Sequence, residues 1–254
     1  MYLCGFPKSG LHAAERMVLG MFAPLNKFPW FGTNAWGVER HKLDRAATNL
    51  AAIRRGCYIK GHTGYLKSLE AVLVGLGIGL VVVYRDLRDV VVSQAHHIMN
   101  VEENDDLNHP GQELYADNLE DVMLQVIEGV DKYTGIIERW ETYAPWLDCD
   151  WVLPMRFEDM IKTPERECSR FFDYSYELAK LDSGITGVLL DKNIRKVAID
   201  GMLLEMKQTH MSPTFRKGKA GGWKRAFTPE TVAAFKAKDN NDWLYKLGYA
   251  KKDW

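Results

Sequence analysis

The stretch that decides the fold is residues 2–22, YLCGFPKSGLHAAERMVLGMF. It opens on a short apolar run, continues through the turn-like loop Pro7-Lys8-Ser9-Gly10, and ends in a segment whose apolar residues have helical spacing. The pattern therefore predicts a buried strand, a loop and a helix, in that order.

Short apolar runs bounded by charged or turn residues recur at 57–60, 80–84 and 151–155. Helical patterns alternate with these runs, at residues 42–54, 66–76, 89–99, 119–143 and 164–173. Alternating strands and helices, with strands apolar on both faces, are typical of a parallel sheet covered by helices. We expect an α/β fold with three layers, α/β/α, around a central parallel sheet. Because no repeat or linker-like tract interrupts the pattern, we expect one domain over residues 1–254.

Composition narrows the possible partners. The 254 residues carry 33 basic and 34 acidic side chains, a net charge of −1, which disfavours nucleic acid or an acidic membrane surface as the main partner. The four cysteines are far apart and form no metal-ligand pattern, which argues against a disulfide scaffold and a zinc site. No apolar stretch has the length of a membrane span. We expect a soluble, cytoplasmic protein.

The loops after the predicted strands are unusually polar, and ligands of parallel α/β sheets bind where strands end. Pro7-Lys8-Ser9-Gly10 opens a helix whose free N–H groups and positive dipole end favour an anion, to which Lys8 adds a full charge. The loop therefore predicts a phosphate cradle. It is not the Walker form G-x-x-x-x-G-K-[ST], because the lysine precedes the glycine.

The segment Arg85-Asp86-Leu87-Arg88-Asp89-Val90-Val91-Val92-Ser93 follows the run that ends at Tyr84. Asp86 is predicted to cap the next helix, with Asp89 as an acidic analogue of the capping-box partner. Arg85 at the strand edge and Ser93 two turns into the helix could both contact one phosphate. The alternative is an arginine in a surface ion pair and a serine on a solvated helix face.

Two further loops are candidates. Lys60-Gly61-His62-Thr63-Gly64 places a histidine among small residues at a strand end, where it could act as a general base. The alternative is a histidine that hydrogen-bonds a neighbouring carbonyl and shapes the loop. The segment from Arg216 to Lys224, RKGKAGGWK, is rich in glycine and in positive charge, which predicts a second phosphate clamp.

These four segments, in this order, resemble the PAPS-dependent cytosolic-type sulfotransferases, a P-loop sulfotransferase family. Pro7-Lys8-Ser9-Gly10 is similar to the family's 5′-phosphosulfate loop, and Lys60-Gly61-His62 is similar to its K-T-H segment. Arg85 to Ser93 resembles its R-N-P-K-D-V-x-V-S element, and the segment from Arg216 to Thr228 resembles its R-K-G-x-x-G-D-W-K-x-x-F-T loop. The resemblance implies a fold like that of P-loop nucleoside triphosphate hydrolases.

The resemblance also implies the reaction. The donor would be 3′-phosphoadenosine 5′-phosphosulfate (PAPS), which leaves as 3′,5′-adenosine bisphosphate (PAP), and no metal would be needed. His62 would be the general base, Lys8 would stabilise the leaving phosphate, and Lys60 would assist at the sulfuryl oxygens. The donor-binding residues implied are Pro7, Lys8, Ser9, Gly10, Leu11, His12, Arg85, Ser93, Phe157, Leu203, Arg216, Lys217 and Gly218.

The sequence departs from the family at several of these positions. Leu11-His12-Ala13 replaces the family's T-T-W, which removes two hydroxyl donors and an aromatic platform for adenine. We expect His12 to replace one donor and Phe157, which replaces a tyrosine, to supply an aromatic face. Leu203 also replaces an aromatic residue. The family's dimer pattern survives only as Lys224 and Thr228, so we expect a monomer or a weak homodimer.

The acceptor is the least constrained part of the reaction, and we expect a small molecule with a hydroxyl or amine group. Candidate acceptor-binding residues are Trp30, Phe31, Tyr65, His96 and His97. The acidic stretch 102–106 would favour a cationic or polyhydroxylated acceptor if it folds over the pocket, and the alternative is a solvated loop. Two other functions stay open at this point: a non-catalytic 3′-phosphonucleotide-binding protein and a P-loop small-molecule kinase.

Overall fold

The computed structural model describes residues 1–22, 33–35, 58–101, 117–131, 133–181, 192–208, 218–252 and 254. The chain divides into two compact units. The first comprises Met1–Tyr84 and Tyr143–Gly218, and the second comprises Arg85–Thr142 and Lys219–Trp254. We describe each unit by itself, and the expectation of a single domain stays a prediction.

The strands of the described residues are β1 (Tyr2–Gly5), β2 (Thr33–Ala35), β3 (Ile59–Gly61), β4 (Leu80–Tyr84), β5 (Gly129–Val130), β6 (Tyr133–Thr134) and β7 (Leu153–Arg156). The helices are α1 (Leu11–Phe22), α2 (Lys67–Gly75), α3 (Leu87–Val101), α4 (Leu119–Glu128), α5 (Ile136–Tyr143), α6 (Phe157–Lys162), α7 (Pro164–Leu181), α8 (Lys192–Met206), α9 (Trp223–Ala226), α10 (Pro229–Lys238) and α11 (Trp243–Lys246). A short 3-10 helix, Ala144–Asp148, follows α5.

The first unit holds a five-stranded sheet with the order β2-β3-β1-β4-β7. Every strand pair in it is parallel, and Tyr2 of β1 lies opposite Ile59 on one side and Leu80 on the other. Helices flank this central parallel sheet, which confirms the predicted α/β/α fold class. Because parallel strands end at the same edge, the loops after β1, β3 and β7 share that edge of the first unit.

Burial explains why these sequences form strands and helices. The residues of β1 are buried, and the first four residues of β4 are 0% exposed, as expected for parallel strands covered on both faces. Helix α1 buries residues at helical spacing, among them Leu11, Ala14, Met17 and Met21. On the same helix, a Cβ atom at Gly20 would lie 2.3 Å from the carbonyl oxygen of Gly201 in α8. The glycine thus lets the two helix backbones approach closely.

In the second unit, the predicted continuous helix over residues 119–143 is wrong. An antiparallel hairpin of β5 and β6 separates α4 from α5. Gly129 ends α4 with a φ of 87°, and Asp131 also has a positive φ, 45°, which no helix accommodates. The apolar spacing continues through the hairpin because Tyr133 is buried, with its hydroxyl hydrogen-bonded to Gln94.

Other predicted elements differ mainly at their ends. Helix α7 continues to Leu181, beyond the predicted end at residue 173, and α8 was not predicted. The predicted helix at 42–54 lies outside the described residues. In the described part of the chain, no helix is both long enough and apolar enough to span a membrane.

Candidate active site

The loop after β1 turns through two residues with positive φ. Lys8 lies in the left-handed region with a φ of 65°, and Gly10 has a φ of 98°. Ser9 fixes the turn between them, because its backbone N–H donates to Phe6 O at 3.0 Å and its hydroxyl donates to Val83 O at 2.8 Å. A left-handed lysine costs about 1 kcal/mol or more, a strain that such anchors can hold at a functional site. The loop ends at Gly10, and α1 begins at the next residue.

Gly10 is required by its surroundings as well as by its backbone. A Cβ atom there would lie 2.4 Å from Cδ2 of the Phe157 ring, which packs directly on the loop. Phe157 is only 5% exposed and belongs to the core of the first unit, and its ring lies against the loop at Gly10. Its predicted role as an adenine contact stays a prediction, as does that of Leu203, a half-buried residue packed against the same core.

The two residues that open α1 have different surroundings. Leu11 is 7% exposed and its Cβ packs against Gly5, so only its backbone is available to an anion. In the first turn of α1 the Ala13 N–H donates to Gly10 O at 2.9 Å, which leaves the N–H groups of Leu11 and His12 as the donors that a phosphate at this helix end would use. His12 is half-buried, and its ring Nδ1 lies 3.2 Å from the carboxylate of Glu15.

The loop after β3 fixes one histidine by its ring nitrogen. His62 Nδ1 lies 2.6 Å from the carbonyl oxygen of Gly5 at the end of β1. Because a carbonyl oxygen only accepts, Nδ1 carries the proton and Nε2 is the basic nitrogen of the neutral ring. Burial lowers the pKa of His62, its hydrogen bond to Gly5 O opposes that effect, and the nearby basic groups of His12, Lys8 and Lys60 lower it further, so the net shift is downward. The ring is therefore neutral at pH 7, in the form that can accept a proton.

The same loop is anchored on three sides at Thr63, which is 1% exposed. The hydroxyl group of Tyr2 hydrogen-bonds the Thr63 hydroxyl. The thiol of Cys4 and the indole N–H of Trp146 both donate to the Thr63 carbonyl, at 3.2 and 3.1 Å. These contacts hold the residue next to His62, and so restrict where the histidine backbone can move.

Lys60, the last lysine before this loop, is paired with a carboxylate on α1. Its Nζ lies 2.7 Å from Glu15 Oε2, and the Tyr58 hydroxyl donates to Glu15 Oε1 at 3.0 Å. Hydrogen bonds from His12, Lys60 and Tyr58 outweigh burial and lower the pKa of Glu15 to about 2. Glu15 is thus ionised at neutral pH, and it links β3 to the helix that follows the phosphate loop.

Tyr65, a predicted acceptor-binding residue, is held in place from two directions. Its hydroxyl donates to Glu70 Oε2 at 2.6 Å, and its ring packs edge-on against Trp146 with centroids 4.9 Å apart. Glu70 also accepts from the Trp151 indole N–H at 3.3 Å. The tyrosine ring is half-buried, so part of it is accessible to a ligand.

In the second unit, Arg85 follows β4 directly and is 8% exposed. Its Nη2 donates to Lys219 O at 2.8 Å and lies 3.4 Å from Asp89 Oδ2. The Asp89 carboxylate in turn accepts from the backbone N–H groups of Gly221 and Trp223, at 2.6 and 3.0 Å. Arg85 is therefore packed against the glycine-rich segment that the sequence analysis predicts to be a phosphate clamp.

The predicted helix cap is confirmed in part. Asp86 Oδ1 accepts from the backbone N–H of Arg88 at 3.0 Å, which caps α3. Asp89 does not complete an acidic capping box, because its carboxylate is committed to the backbone of Gly221 and Trp223 instead. The sequence pattern shows only the local spacing, whereas the contact that decides the role of Asp89 comes from a segment far along the chain.

Arg88 contacts the tryptophan that follows the glycines of the same segment. Its guanidinium pairs with both carboxylate oxygens of Asp86, at 2.9 and 2.8 Å. It also lies 3.8 Å from the ring centroid of Trp223 and 4.6 Å from that of Trp254. Cation–π contacts of this kind stabilise by about 0.5–2 kcal/mol each. Arg88 thus has a structural role next to the arginine that is predicted to bind phosphate.

The remaining predicted residues are placed as follows. Ser93, His96 and His97 are half-buried on α3, and Gly218 is exposed with a φ of 58°. Trp30, Phe31, Arg216 and Lys217 lie outside the described residues, as does the acidic stretch 102–106. Within the described residues, no group of three or more His, Cys, Asp or Glu side chains could hold a metal ion.

The structure identifies Glu15 as a residue of these sites that the sequence patterns did not indicate, and it gives Asp89 a role other than the predicted one. Glu15 lies three residues after His12 on α1, which is a spacing that places two side chains on the same helix face. That spacing could have pointed to Glu15. Asp89 was assigned a different role, because its partners at Gly221 and Trp223 follow from the tertiary fold alone.

Comparisons with known proteins point to one family. The sequence profile described as "sulfotransferase domain" matches residues 1–240. The crystal structure of mouse sulfotransferase SULT7A1 complexed with PAP matches with a TM-score of 0.59 and 18% identity, covering 95% of this chain and 82% of that one. A crystal structure of retinol dehydratase with androsterone and the inactive cofactor PAP matches with a TM-score of 0.58 and 15% identity, covering 94% and 79%. No curated protein sequence matches significantly. At these identities the structural matches establish the fold, whereas the profile establishes the family.

Proposed function

Because the chain belongs to the sulfotransferase family, we propose that it transfers a sulfuryl group from PAPS to a hydroxyl or amine of a small-molecule acceptor. The observation that carries this proposal is the group of side chains around His62. A neutral histidine, oriented by Gly5 O at 2.6 Å, is close enough to Lys8, His12 and Lys60 for their charges to lower its pKa. In sulfuryl transfer the base would accept the proton of the acceptor, and the neighbouring basic groups would stabilise the negative charge of the transferred and leaving groups.

The loop after β1 would hold the 5′-phosphosulfate of the donor. The N–H groups that open α1 point toward any anion bound at that helix end, and the Lys8 backbone is held in a strained turn there. A Cβ atom at Gly10 would overlap the Phe157 ring, so this glycine is needed for the cradle to keep its shape. These features suit the 5′-phosphosulfate of the donor.

In the transfer, the bond between sulfur and the bridging oxygen of the 5′-phosphate breaks, and its electron pair stays on that phosphate. A bond forms between sulfur and the acceptor oxygen or nitrogen, whose proton passes to Nε2 of His62. Charge increases on the leaving phosphate as the reaction proceeds, so a cation there stabilises the transition state more than the ground state. We assign that role to Lys8, and we assign contact with the sulfuryl oxygens to Lys60.

The 3′-phosphate of the donor would be held by the second group of basic residues, as the family resemblance implies. Arg85 carries a buried guanidinium fixed by Asp89 and Lys219 O, and Ser93 lies further along α3. The resemblance adds Arg216, Lys217 and Gly218. A bidentate contact from arginine to phosphate is strong and directional, so these residues would distinguish PAPS from nucleotides without a 3′-phosphate.

The acceptor remains the open half of the reaction. Retinol dehydratase binds androsterone in one of the matched structures and retinol in another, in which the TM-score is 0.53. We infer that the acceptor of this protein is likewise a small molecule, and that Tyr65 forms part of the surface that it contacts.

The test is transfer of ³⁵S from labelled PAPS to a panel of acceptors that includes a steroid alcohol, retinol, a phenol, an amino alcohol and a sugar. We expect one class to yield labelled product together with PAP, and His62→Asn to suppress that product. If PAPS binds but no acceptor of the panel or of a wider metabolite extract is labelled, the proposal of catalysis fails and a phosphonucleotide-binding role replaces it.

A further inference from the structure

A carboxylate lies among the basic residues of the proposed active site. Glu15 is on α1, one turn after the phosphate loop, and its side chain is 17% exposed. An acidic group next to the binding site of a highly anionic donor would by itself oppose binding. Its presence there therefore calls for a physical explanation.

The contacts of Glu15 supply that explanation. Oε2 accepts from Lys60 Nζ at 2.7 Å and from His12 Nδ1 at 3.2 Å, while Oε1 accepts from the Tyr58 hydroxyl at 3.0 Å. Lys60 and His12 are both assigned to the donor site, and they come from different elements, β3 and α1. One carboxylate thus fixes two basic side chains relative to each other.

We propose that Glu15 is a positioning residue for sulfuryl transfer, whose carboxylate directs the ammonium group of Lys60 and the ring of His12 toward the phosphosulfate of the donor. The inference rests on the proposed function. A free lysine side chain samples many rotamers, and ordering such a chain costs conformational entropy. A partner that holds the chain in advance removes part of that cost when the donor binds.

The geometry leaves both groups able to contact a ligand. A lysine ammonium has three N–H donors, and within the described residues Lys60 uses one of them on Glu15, which leaves two for a ligand. The His12 ring bonds Glu15 through Nδ1, so its other nitrogen lies on the opposite side of the ring. Glu15 thus orients these groups without occupying them fully.

The test compares the affinities for PAPS and for PAP, which differ by the sulfuryl group alone. For wild type and Glu15→Gln, both dissociation constants are measured by calorimetry in the absence of any acceptor. Loss of Glu15 removes a negative charge, so PAP affinity should hold or rise. Loss of the Lys60 contact should lower the affinity for PAPS, relative to the affinity for PAP, by about tenfold. That factor is in the range expected for one charged hydrogen bond.

A double-mutant cycle with Lys60→Met separates positioning from a general effect on the fold. If Glu15 acts through Lys60, Glu15→Gln should change the PAPS-to-PAP ratio much less when Lys60 is already methionine. Glu15→Asp keeps the charge on a shorter chain and should restore part of the wild-type ratio of PAPS to PAP affinity. The same measurement on Glu15→Asp replaces the one on Glu15→Gln if that variant does not fold.

The matched control is Glu205→Gln. Glu205 is also a carboxylate of the first unit and is 23% exposed. It pairs at 3.1 Å with Arg16, which follows Glu15 on α1. This variant should leave the ratio unchanged. An unchanged ratio in Glu15→Gln, or full additivity with Lys60→Met, would overturn the positioning role. Failure of the wild-type protein to bind either PAPS or PAP would instead overturn the proposed function itself.

Discussion

His62 Nδ1 and the carbonyl oxygen of Gly5 lie 2.6 Å apart, which joins the loop after β3 to the end of the neighbouring strand β1. The contact sets the tautomer of the ring and makes Nε2 its basic nitrogen. The two roles considered for this histidine, shaping the loop and acting as a general base, are therefore compatible. One ring nitrogen shapes the loop while the other can accept a proton.

His62→Asn should therefore separate chemistry from binding. The asparagine amide can still donate to Gly5 O but cannot accept a proton, so the loop should keep its shape. We expect kcat to fall by about 10²- to 10⁴-fold, the usual contribution of a general base, while the dissociation constant for PAP changes less than about threefold. If PAP binding is lost to the same extent as turnover, His62 is a structural residue.

The pKa of His62 provides a second prediction that needs no acceptor. Burial and the neighbouring cations favour the neutral ring, so the ring should titrate below its ordinary value of 6.5. NMR of the ring Cε1–H should show this, and Lys60→Met should raise the pKa because one of the positive neighbours is removed. A ring that titrates at or above 6.5 in the wild type would contradict the description of the site.

Gly10→Ala tests the strain and packing of the phosphate loop. The new Cβ would lie 2.4 Å from the Phe157 ring, at a φ of 98° that alanine rarely adopts. We expect the free energy of unfolding to fall by at least about 2 kcal/mol, together with a loss of PAP affinity. Gly75→Ala is the matched control, because nothing lies within 4 Å of a Cβ there, and it should be close to neutral. Equal effects in urea unfolding would contradict the packing argument.

Arg85→Met tests the assignment of the 3′-phosphate. The substitution keeps much of the apolar stem but removes the guanidinium, so affinity for PAP should fall about tenfold or more. AMP has no 3′-phosphate, and its affinity should change little. Calorimetry with both nucleotides checks this, and a parallel loss of AMP and PAP affinity would show that Arg85 acts on the fold of its unit instead.

Much of the fold could be predicted from sequence because the buried strands are short and separated by clear loops. β4 and the loop-helix unit after β1 were predicted with nearly correct ends, since burial on both faces leaves uninterrupted apolar runs. The hairpin at residues 129–134 was missed because a buried Tyr133 continues the apolar spacing of the flanking helices. Gly129 and Gly135, one on each side of the hairpin, were local signals against a continuous helix.

The candidate site was predictable where a residue's chemistry shows in its own loop, as for Lys8 and His62. It was not predictable where the role depends on a distant partner. The Asp89 carboxylate accepts hydrogen bonds from the backbone of Gly221 and Trp223 instead of capping its own helix. Glu15 pairs with Lys60, which lies 45 residues away in the chain. The Glu15–Lys60 contact follows from the pairing of β3 with β1, and the Asp89 contact follows from the packing of the segment around Gly221 against α3. Local sequence patterns encode neither of these arrangements.

If the protein uses PAPS as its sulfuryl donor, it recognises adenine nucleotides by their 3′-phosphate. The most direct measurement is calorimetric titration of the wild-type protein with PAP, AMP and magnesium ATP under the same conditions. We predict that PAP binds at least about tenfold more tightly than AMP, a difference of about 1.4 kcal/mol or more, and more tightly than magnesium ATP. Equal affinities for PAP and AMP, or a preference for magnesium ATP, would contradict recognition of the 3′-phosphate and the use of PAPS as donor.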